Sequence, residues 1–199
     1  MYDLLADVAF AGALTRAQAE AVARGLPPDA RHILWLGGGT GRLLPAVLAR
    51  APQARVTYVE PSAQMLARAR RRLSAAEAAR VDFVLGTDAD MQVEAAADVV
   101  VSFFFLDLFA PAELAAVVRR LSAVAAPGAT WLVADFVPPR RWWQRGLLAV
   151  LYPFFRLTTG LQTRRLPDWP AALRAAGWKP GAARGFVGGA VEAQMWRPA

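Results

Sequence analysis

The 199-residue chain is long enough for one substantial domain, and its 56% apolar content excludes a disordered chain. With no cysteine and a single histidine, His32, it has neither disulfides nor the ligands for a transition-metal centre, and His32 reads as structural or exposed. The net charge of +7 sits almost wholly on arginine, Lys179 being the single lysine among 23 basic residues. The arginines are spread along the chain without an RNA-binding signature, so they read as a compositional habit rather than a nucleic-acid surface. No run of about 18 apolar residues is present, so no membrane-spanning helix is expected. Met1-Tyr2-Asp3 lacks the basic start of a secretory signal, which leaves the cytosol as the default compartment.

In chain order, Leu14 to Arg24 is alanine-rich and helix-prone, and Pro27-Pro28-Asp29 breaks it. Ile33–Leu36 is a short apolar run entering Gly37-Gly38-Gly39-Thr40-Gly41, the pattern of a buried parallel strand ending in a tight turn. Gly37, Gly39 and Gly41 allow positive φ and close approach to a ligand. Arg42 to Arg50 then fits a helix with Pro45 in its first turn, and Val56–Val59 a second strand ending on Glu60. Strand, glycine turn, helix, strand and acid make a nucleoside-binding unit. The helix N-terminus meets an anionic part of the ligand, and the acid accepts from ribose hydroxyls. The dinucleotide fingerprint G-x-G-x-x-G fails in both registers, because Arg42 and Leu44 occupy its last position.

Ser62 is placed to cap a helix from Ala63 to about Leu73, whose arginines form a solvated face. Val81–Leu85 is the third strand, followed by the turn Gly86-Thr87-Asp88-Ala89. Residues 97–105 form a fourth, continuously apolar strand, with Leu106-Asp107-Leu108-Phe109 at its carboxyl end. A helix opens at Pro111 and runs to about Val124, Pro127-Gly128 turns the chain, and 129–136 is the fifth strand. The stretch 137–168 departs from the alternation. Arg140, Arg141 and Arg145 flank Trp142-Trp143 and an apolar run through Tyr152 to Phe155, too short to span a bilayer. It reads as an insertion packed over the sheet edge or as a lid over an apolar substrate, the lid resting on a membrane surface through 141–156. A helix from Asp168 to Ala176 ends at Gly177, and Ala183–Val187 and Ala190–Trp196 form a terminal hairpin joined at Gly188-Gly189. Alternating strands and helices predict one α/β domain over 1–199: a Rossmann-like, mostly parallel seven-stranded sheet with helices on both faces and a C-terminal antiparallel hairpin.

G-x-G-x-G at 37–41, with Glu60 nineteen residues after Gly41, resembles the first motif and ribose-binding acid of class I S-adenosylmethionine (SAM) dependent methyltransferases. The "L-x-x-V-x-x-P-G-A-x-x-L-V-x-D-F" segment ending at Phe136 resembles the same family, and the terminal hairpin resembles its antiparallel seventh strand. The Tyr-Asp start, the Phe-rich fourth strand and the aromatic insertion look most like its small-molecule, quinone- or lipid-type members. The resemblance implies SAM as cofactor, with Gly37, Gly38, Gly39, Thr40 and Gly41 around its methionyl part and Glu60 with Pro61 at the ribose. Met65 would cover a face of the adenine, Thr87, Asp88 and Ala89 its edge, and Phe103 would lie beside the sulfonium. The Asn/Asp-Pro-Pro-Tyr/Phe motif of nucleobase and glutamine N-methylation is missing after the fourth strand.

The implied reaction is in-line displacement at the sulfonium methyl by a small apolar or amphiphilic acceptor such as a quinone, phenol or lipid-like molecule, lined by Phe104, Trp143 and Tyr152. Where the acceptor arrives protonated, Tyr2 and Asp107 are the candidate bases. No metal is expected, since Asp107 and Asp135 are too few acids for a divalent-cation site. Two alternatives stand beside this reading: a SAM-binding fold that transfers no methyl group, and, suggested by charge alone, a nucleic-acid methyltransferase. The sequence does not define the oligomeric state.

Overall fold

The computed structural model describes residues 12–91, 96–139, 142, 146 and 166–199. The segment preceding the sheet forms α1 (Ala13–Gly25). Then come β1 (His32–Leu36), α2 (Leu44–Arg50), β2 (Arg55–Glu60), α3 (Ala63–Arg70), α4 (Ala75–Ala78), β3 (Val81–Leu85) and β4 (Ala97–Phe103). A 3₁₀ turn, Leu106–Leu108, leads into α5 (Pro111–Val124), β5 (Ala125–Phe136), α6 (Trp169–Ala175), β6 (Trp178–Phe186) and β7 (Val191–Pro198).

The seven strands form one sheet in the order β3-β2-β1-β4-β5-β7-β6. All pairings from β3 to β5 are parallel, and β7 runs antiparallel to both β5 and β6. This is the expected architecture. Side chains alternate across the sheet with period two, so each strand feeds two cores. Ile33, Trp35, Val56, Tyr58, Val101 and Phe103 face one core with α1 and α2; Leu34, Leu36, Val59, Val100, Trp131 and Val133 face the other with α5 and α6. On the first face a row of rings crosses four strands. Phe103 meets Trp35 at 5.6 Å, Trp35 meets Tyr58 at 5.5 Å, and Tyr58 meets Phe83 at 5.7 Å. Such tilted and edge-on pairs add about 0.5–1.5 kcal/mol each beyond their burial.

Local chemistry sets the element ends. Ser62 caps α3 by accepting from Met65 N–H at 3.3 Å. α3 stops at Arg70, short of the expected Leu73, and a new helix starts because Ser74 and Glu77 form a reciprocal capping box. Pro127-Gly128 does not end a strand. β5 begins at Ala125, and the register shift between Ala97 and Val99 absorbs the proline and the positive-φ glycine as a bulge. Gly177 follows α6 with φ +86°, the left-handed stop expected of it. Several arginines act as staples. Arg80 donates to the carbonyls of Leu48, Ala51 and Pro52 at the C-terminal end of α2, and Arg50 donates to Leu26 O.

No helix among the described residues is long and apolar enough to cross a membrane. Most of the 137–168 insertion, including Arg140, Arg141, Trp143, Arg145 and Tyr152, lies outside the described residues, as does Tyr2.

Candidate functional site

The strand order reverses direction between β1 and β4, and ligands of open α/β sheets bind in the crevice beyond the carboxyl ends of strands at such a point. Two segments flank that crevice: Gly37–Gly41 after β1 and Phe104–Phe109 after β4.

The glycine turn is built by its neighbours. Gly37, Gly39 and Gly41 have φ of +61°, +61° and +69°, left-handed values that side chains rarely adopt. A Cβ at Gly37 would stand 2.7 Å from the Phe105 ring, one at Gly38 would stand 2.0 Å from the Tyr58 ring, and one at Gly41 would stand 2.6 Å from Ala69 Cβ. These three glycines are required by packing. At Gly39 nothing lies within 4 Å of that position. Its open side is a space that a Cβ would invade and a ligand can fill. Below the turn, Tyr58 OH donates to Gly39 O at 3.2 Å and Arg72 Nε donates to Thr40 O at 2.8 Å.

Glu60 ends β2 with only 5% of its surface exposed. Its Oε2 accepts from Gly39 N–H at 2.8 Å and its Oε1 from Ser62 N–H at 2.9 Å, so the carboxylate ties the turn to the start of α3. A carboxylate has about four acceptor positions, and two remain for hydroxyl donors. The other N–H groups at the start of the turn are spent internally: Gly37 and Gly38 both donate to Val59 O. The first two N–H groups of the turn are thus engaged within the protein. An acid with free acceptor positions beside a glycine-lined opening suits a hydroxyl-bearing ligand. Pro61 is exposed, Met65 is half-buried and Leu85, beside Glu60 in the sheet register, is 57% exposed. These supply apolar surface at the same edge.

After β3, Thr87 and Ala89 are exposed and Asp88 is buried. The Asp88 carboxylate is occupied by Arg120 of α5, whose Nε donates to it at 2.7 Å and whose terminal nitrogen also reaches it. The neighbouring Asp90 accepts from Thr87 N–H at 2.8 Å and Thr87 Oγ1 at 2.9 Å, bonds that lower its carboxyl below the usual range.

The Phe-rich end of β4 splits three ways. Phe103 turns into the core against Trp35. Phe104 takes φ +50°, a left-handed value for a bulky residue, held by Phe104 N–H donating to Ala134 O at 2.8 Å. Its half-buried ring packs on Phe136 at 5.7 Å. Phe105 lies against Gly37 and meets Phe109 at 4.9 Å. Beyond it Asp107 is buried against Asp135, and Asp135 Oδ2 accepts from the N–H groups of Phe105, Leu106 and Asp107 at 2.9–3.3 Å. Burial pushes the Asp107 carboxyl up to about 6, and burial and the Asp107 charge push Asp135 well up as well. Among the described residues no group of three or more acids, histidines or cysteines could hold a metal.

The structure thus brings Gly37–Gly41, Glu60, Phe104 and Asp107 to the carboxyl edge. Sequence reasoning missed Tyr58, Arg72, Phe105 and Arg120. Glycines facing bulky neighbours were the one signal, since Gly38 demands a large side chain beneath it.

Comparison with known proteins finds methyltransferases among those similar to this chain. Residues 33–128 match the family model described as "Methyltransferase domain". Over these residues the chain is similar to methyltransferases, the class that its glycine turn and Glu60 resemble. Among curated relatives it is 30% identical over 171 residues to the ubiquinone/menaquinone biosynthesis C-methyltransferase UbiE of Rubrivivax gelatinosus, covering 85% of this chain and 62% of that one. It is 36% identical over 143 residues to aclacinomycin 10-hydroxylase RdmB of Streptomyces purpurascens, covering 67% of this chain and 37% of that one. The chain therefore spans less than two thirds of each of these relatives. Mitomycin 7-O-methyltransferase MmcR shares the fold at TM-score 0.71 and 24% identity, over 94% of this chain and 54% of that one. An O-methyltransferase family protein of Burkholderia thailandensis does so at TM-score 0.72 and 23% identity, over 93% and 56%.

Proposed function

We propose that this chain binds SAM in the opening above Gly39 and methylates a small apolar or amphiphilic acceptor, of quinone, phenol or lipid-like type. The observation that carries the reading is the pairing of an empty Cβ position at Gly39 with the Glu60 carboxylate that grips the same residue's N–H. SAM supplies an electrophilic methyl group on a sulfonium, so the protein chiefly positions the acceptor on its axis. Gly37 to Gly41 would hold the methionyl end, Glu60 the ribose hydroxyls, and Pro61 and Met65 the apolar adenine surface. Thr87 and Ala89, exposed on their turn, would meet its edge. Asp88, held by Arg120, would act there only by sharing its carboxylate. Phe104 would line the acceptor side with Trp143 and Tyr152 of the insertion, which would also provide a peripheral membrane contact through 141–156 in a cytoplasmic protein.

Among the relatives, the C-methyltransferase name supports small-molecule methylation, whereas the hydroxylase name belongs to a protein matched over a smaller share. The test is a radioactive methyl-transfer screen across quinones, phenols, lipids and RNA, with S-adenosylhomocysteine (SAH) release measured in parallel. A labelled small-molecule product supports the reading. SAM binding without SAH release across the whole panel would favour a non-methylating role, and labelled RNA would contradict the acceptor class. Trp143→Ala and Tyr152→Ala then separate lid from packing: lost turnover with unchanged SAM affinity and unfolding midpoint is the lid result, and lost stability with normal turnover is the packing result.

A further inference from the structure

Among the described residues, two that carry a side chain take a left-handed backbone: Phe104 with φ +50° and Val187 with φ +51°. One is bulky and the other β-branched, and both types disfavour that region. Both stand at the carboxyl edge of the sheet, Phe104 just beyond β4 and Val187 just beyond β6. In a regular strand, consecutive side chains point to opposite faces. Here the left-handed residue breaks that alternation in the same way twice. Phe103 and Phe104 both pack on the core that holds α1, and so do Phe186 and Val187.

Register carries the row across the edge. Phe104 meets Phe136 at 5.7 Å, Phe136 pairs with Val191, and Val191 pairs with Phe186. Ala190 holds the hairpin tip beside β5: its N–H donates to Val187 O at 3.2 Å, and its carbonyl accepts from Val137 N–H at 3.0 Å. Arg184 braces the Phe186 ring, lying over it at 5.6 Å while pairing with Glu20 of α1 at 2.9 Å. Core packing alone does not account for the strain, because Phe104, Phe186 and Val187 end half-buried rather than buried. The row begins next to the cofactor opening, since Phe105, directly after Phe104, lies against Gly37. Strand order then takes it outward from β4 through β5 and β7 to β6.

We propose that Phe104, Phe136, Phe186 and Val187 form a rigid apolar wall that binds the flat aromatic ring of the methyl acceptor, the β6–β7 hairpin tip setting acceptor specificity. This rests on the methyl-transfer reading and narrows its acceptor to a ring-bearing phenol or quinol. Three phenylalanine rings suit edge-on and offset contact with an aromatic ring. The left-handed residues at the two ends of the row make the wall pre-organised. A fixed wall favours a rigid ring over a flexible chain, which loses more conformational freedom on binding.

The test uses the full chain loaded with SAH and calorimetry with 1-naphthol as the ring probe and 1-octanol as the chain probe. Glycine and asparagine both tolerate the left-handed backbone, so Val187→Gly and Val187→Asn remove the apolar side chain without adding strain. Both variants should keep the urea unfolding midpoint at or above wild type and SAH affinity within about twofold, while 1-naphthol binding weakens at least about fivefold. Wild type should bind 1-naphthol at least about fivefold more tightly than 1-octanol. A folded, SAH-binding Val187 variant with wild-type 1-naphthol affinity overturns the proposal, and failure of both variants to fold does so by assigning Val187 to the core. SAH-loaded wild type that binds 1-octanol as well as 1-naphthol, or binds neither, overturns it too. Wild type that binds no SAH would defeat the methyl-transfer reading instead. The wall is then read on the free chain, where 1-naphthol binding weakened in both variants supports it and unchanged binding overturns it.

Discussion

Gly39→Val is the perturbation that separates a ligand-facing turn from a merely tight one. Nothing lies within 4 Å of a Cβ at Gly39, so the valine meets no protein atom and no core is overpacked. The folded-state cost comes from the backbone, because φ is +61° there. An L-residue in that region costs about 1–2 kcal/mol, and a β-branched one sits at the upper end. Gly177 is a matched control: φ is +86°, its Cβ position is equally open, and it follows α6 away from the turn. Gly39→Val and Gly177→Val should therefore lose similar stability in urea unfolding, about 1–2 kcal/mol each. They should part in calorimetry with SAH. Gly177→Val should bind as wild type does. Gly39→Val should lose at least about 1.4 kcal/mol, a factor of ten, because its methyl groups occupy the ligand's approach. Equal SAH affinity in the two folded variants would refute the assignment of the open side of Gly39 to the cofactor.

Tyr58→Phe removes the hydroxyl that braces Gly39 O, and a loss of about 0.5–1.5 kcal/mol in stability is expected, read by urea unfolding. Arg80→Ala frees the carbonyls at the end of α2 and should cost stability, about 1–2 kcal/mol, while SAH affinity stays unchanged in calorimetry. For Asp107 the folded carboxyl is raised from 3.8 to about 6, so the native state binds more protons than the unfolded chain between those values. Its contribution is complete below the unfolded value and is lost as pH rises through about 6. Asp107→Asn should flatten that decline relative to wild type across the window, measured by unfolding at each pH.

The fold was legible because its signals are local. Apolar runs of four to seven residues, Ser62 before α3, Pro111 at the start of α5 and Gly177 after α6 each encode an element boundary within a few positions. Glu60 was legible for the same reason, standing at the end of the strand that follows the glycine turn. The break at α4 was equally available in Ser74 and Glu77 but was hidden inside an arginine-rich run that reads as one helix. Pro127-Gly128 has the composition of a turn, and only the partner strand's register turns it into a bulge. What stayed hidden are choices of distant partner. Nothing near Asp88 announces that Arg120, thirty-two positions away, will take its carboxylate. Asp135 likewise shows its role only when β5 is laid beside β4, bringing three N–H groups to one oxygen. Phe103, Phe104 and Phe105 look interchangeable in sequence, and the left-handed backbone at Phe104 sends them to different surroundings.

The central claim, that Glu60 and the glycine turn form a SAM site, is tested most directly by calorimetry with SAH on wild type and Glu60→Ala at matched fold. Wild type should bind. Glu60→Ala strands the N–H groups of Gly39 and Ser62 and removes the acceptor proposed for the ribose hydroxyls, so its affinity should fall by at least about 1–3 kcal/mol. Well-folded wild type that binds neither SAM nor SAH, or a Glu60→Ala variant that binds as tightly as wild type, would contradict the account.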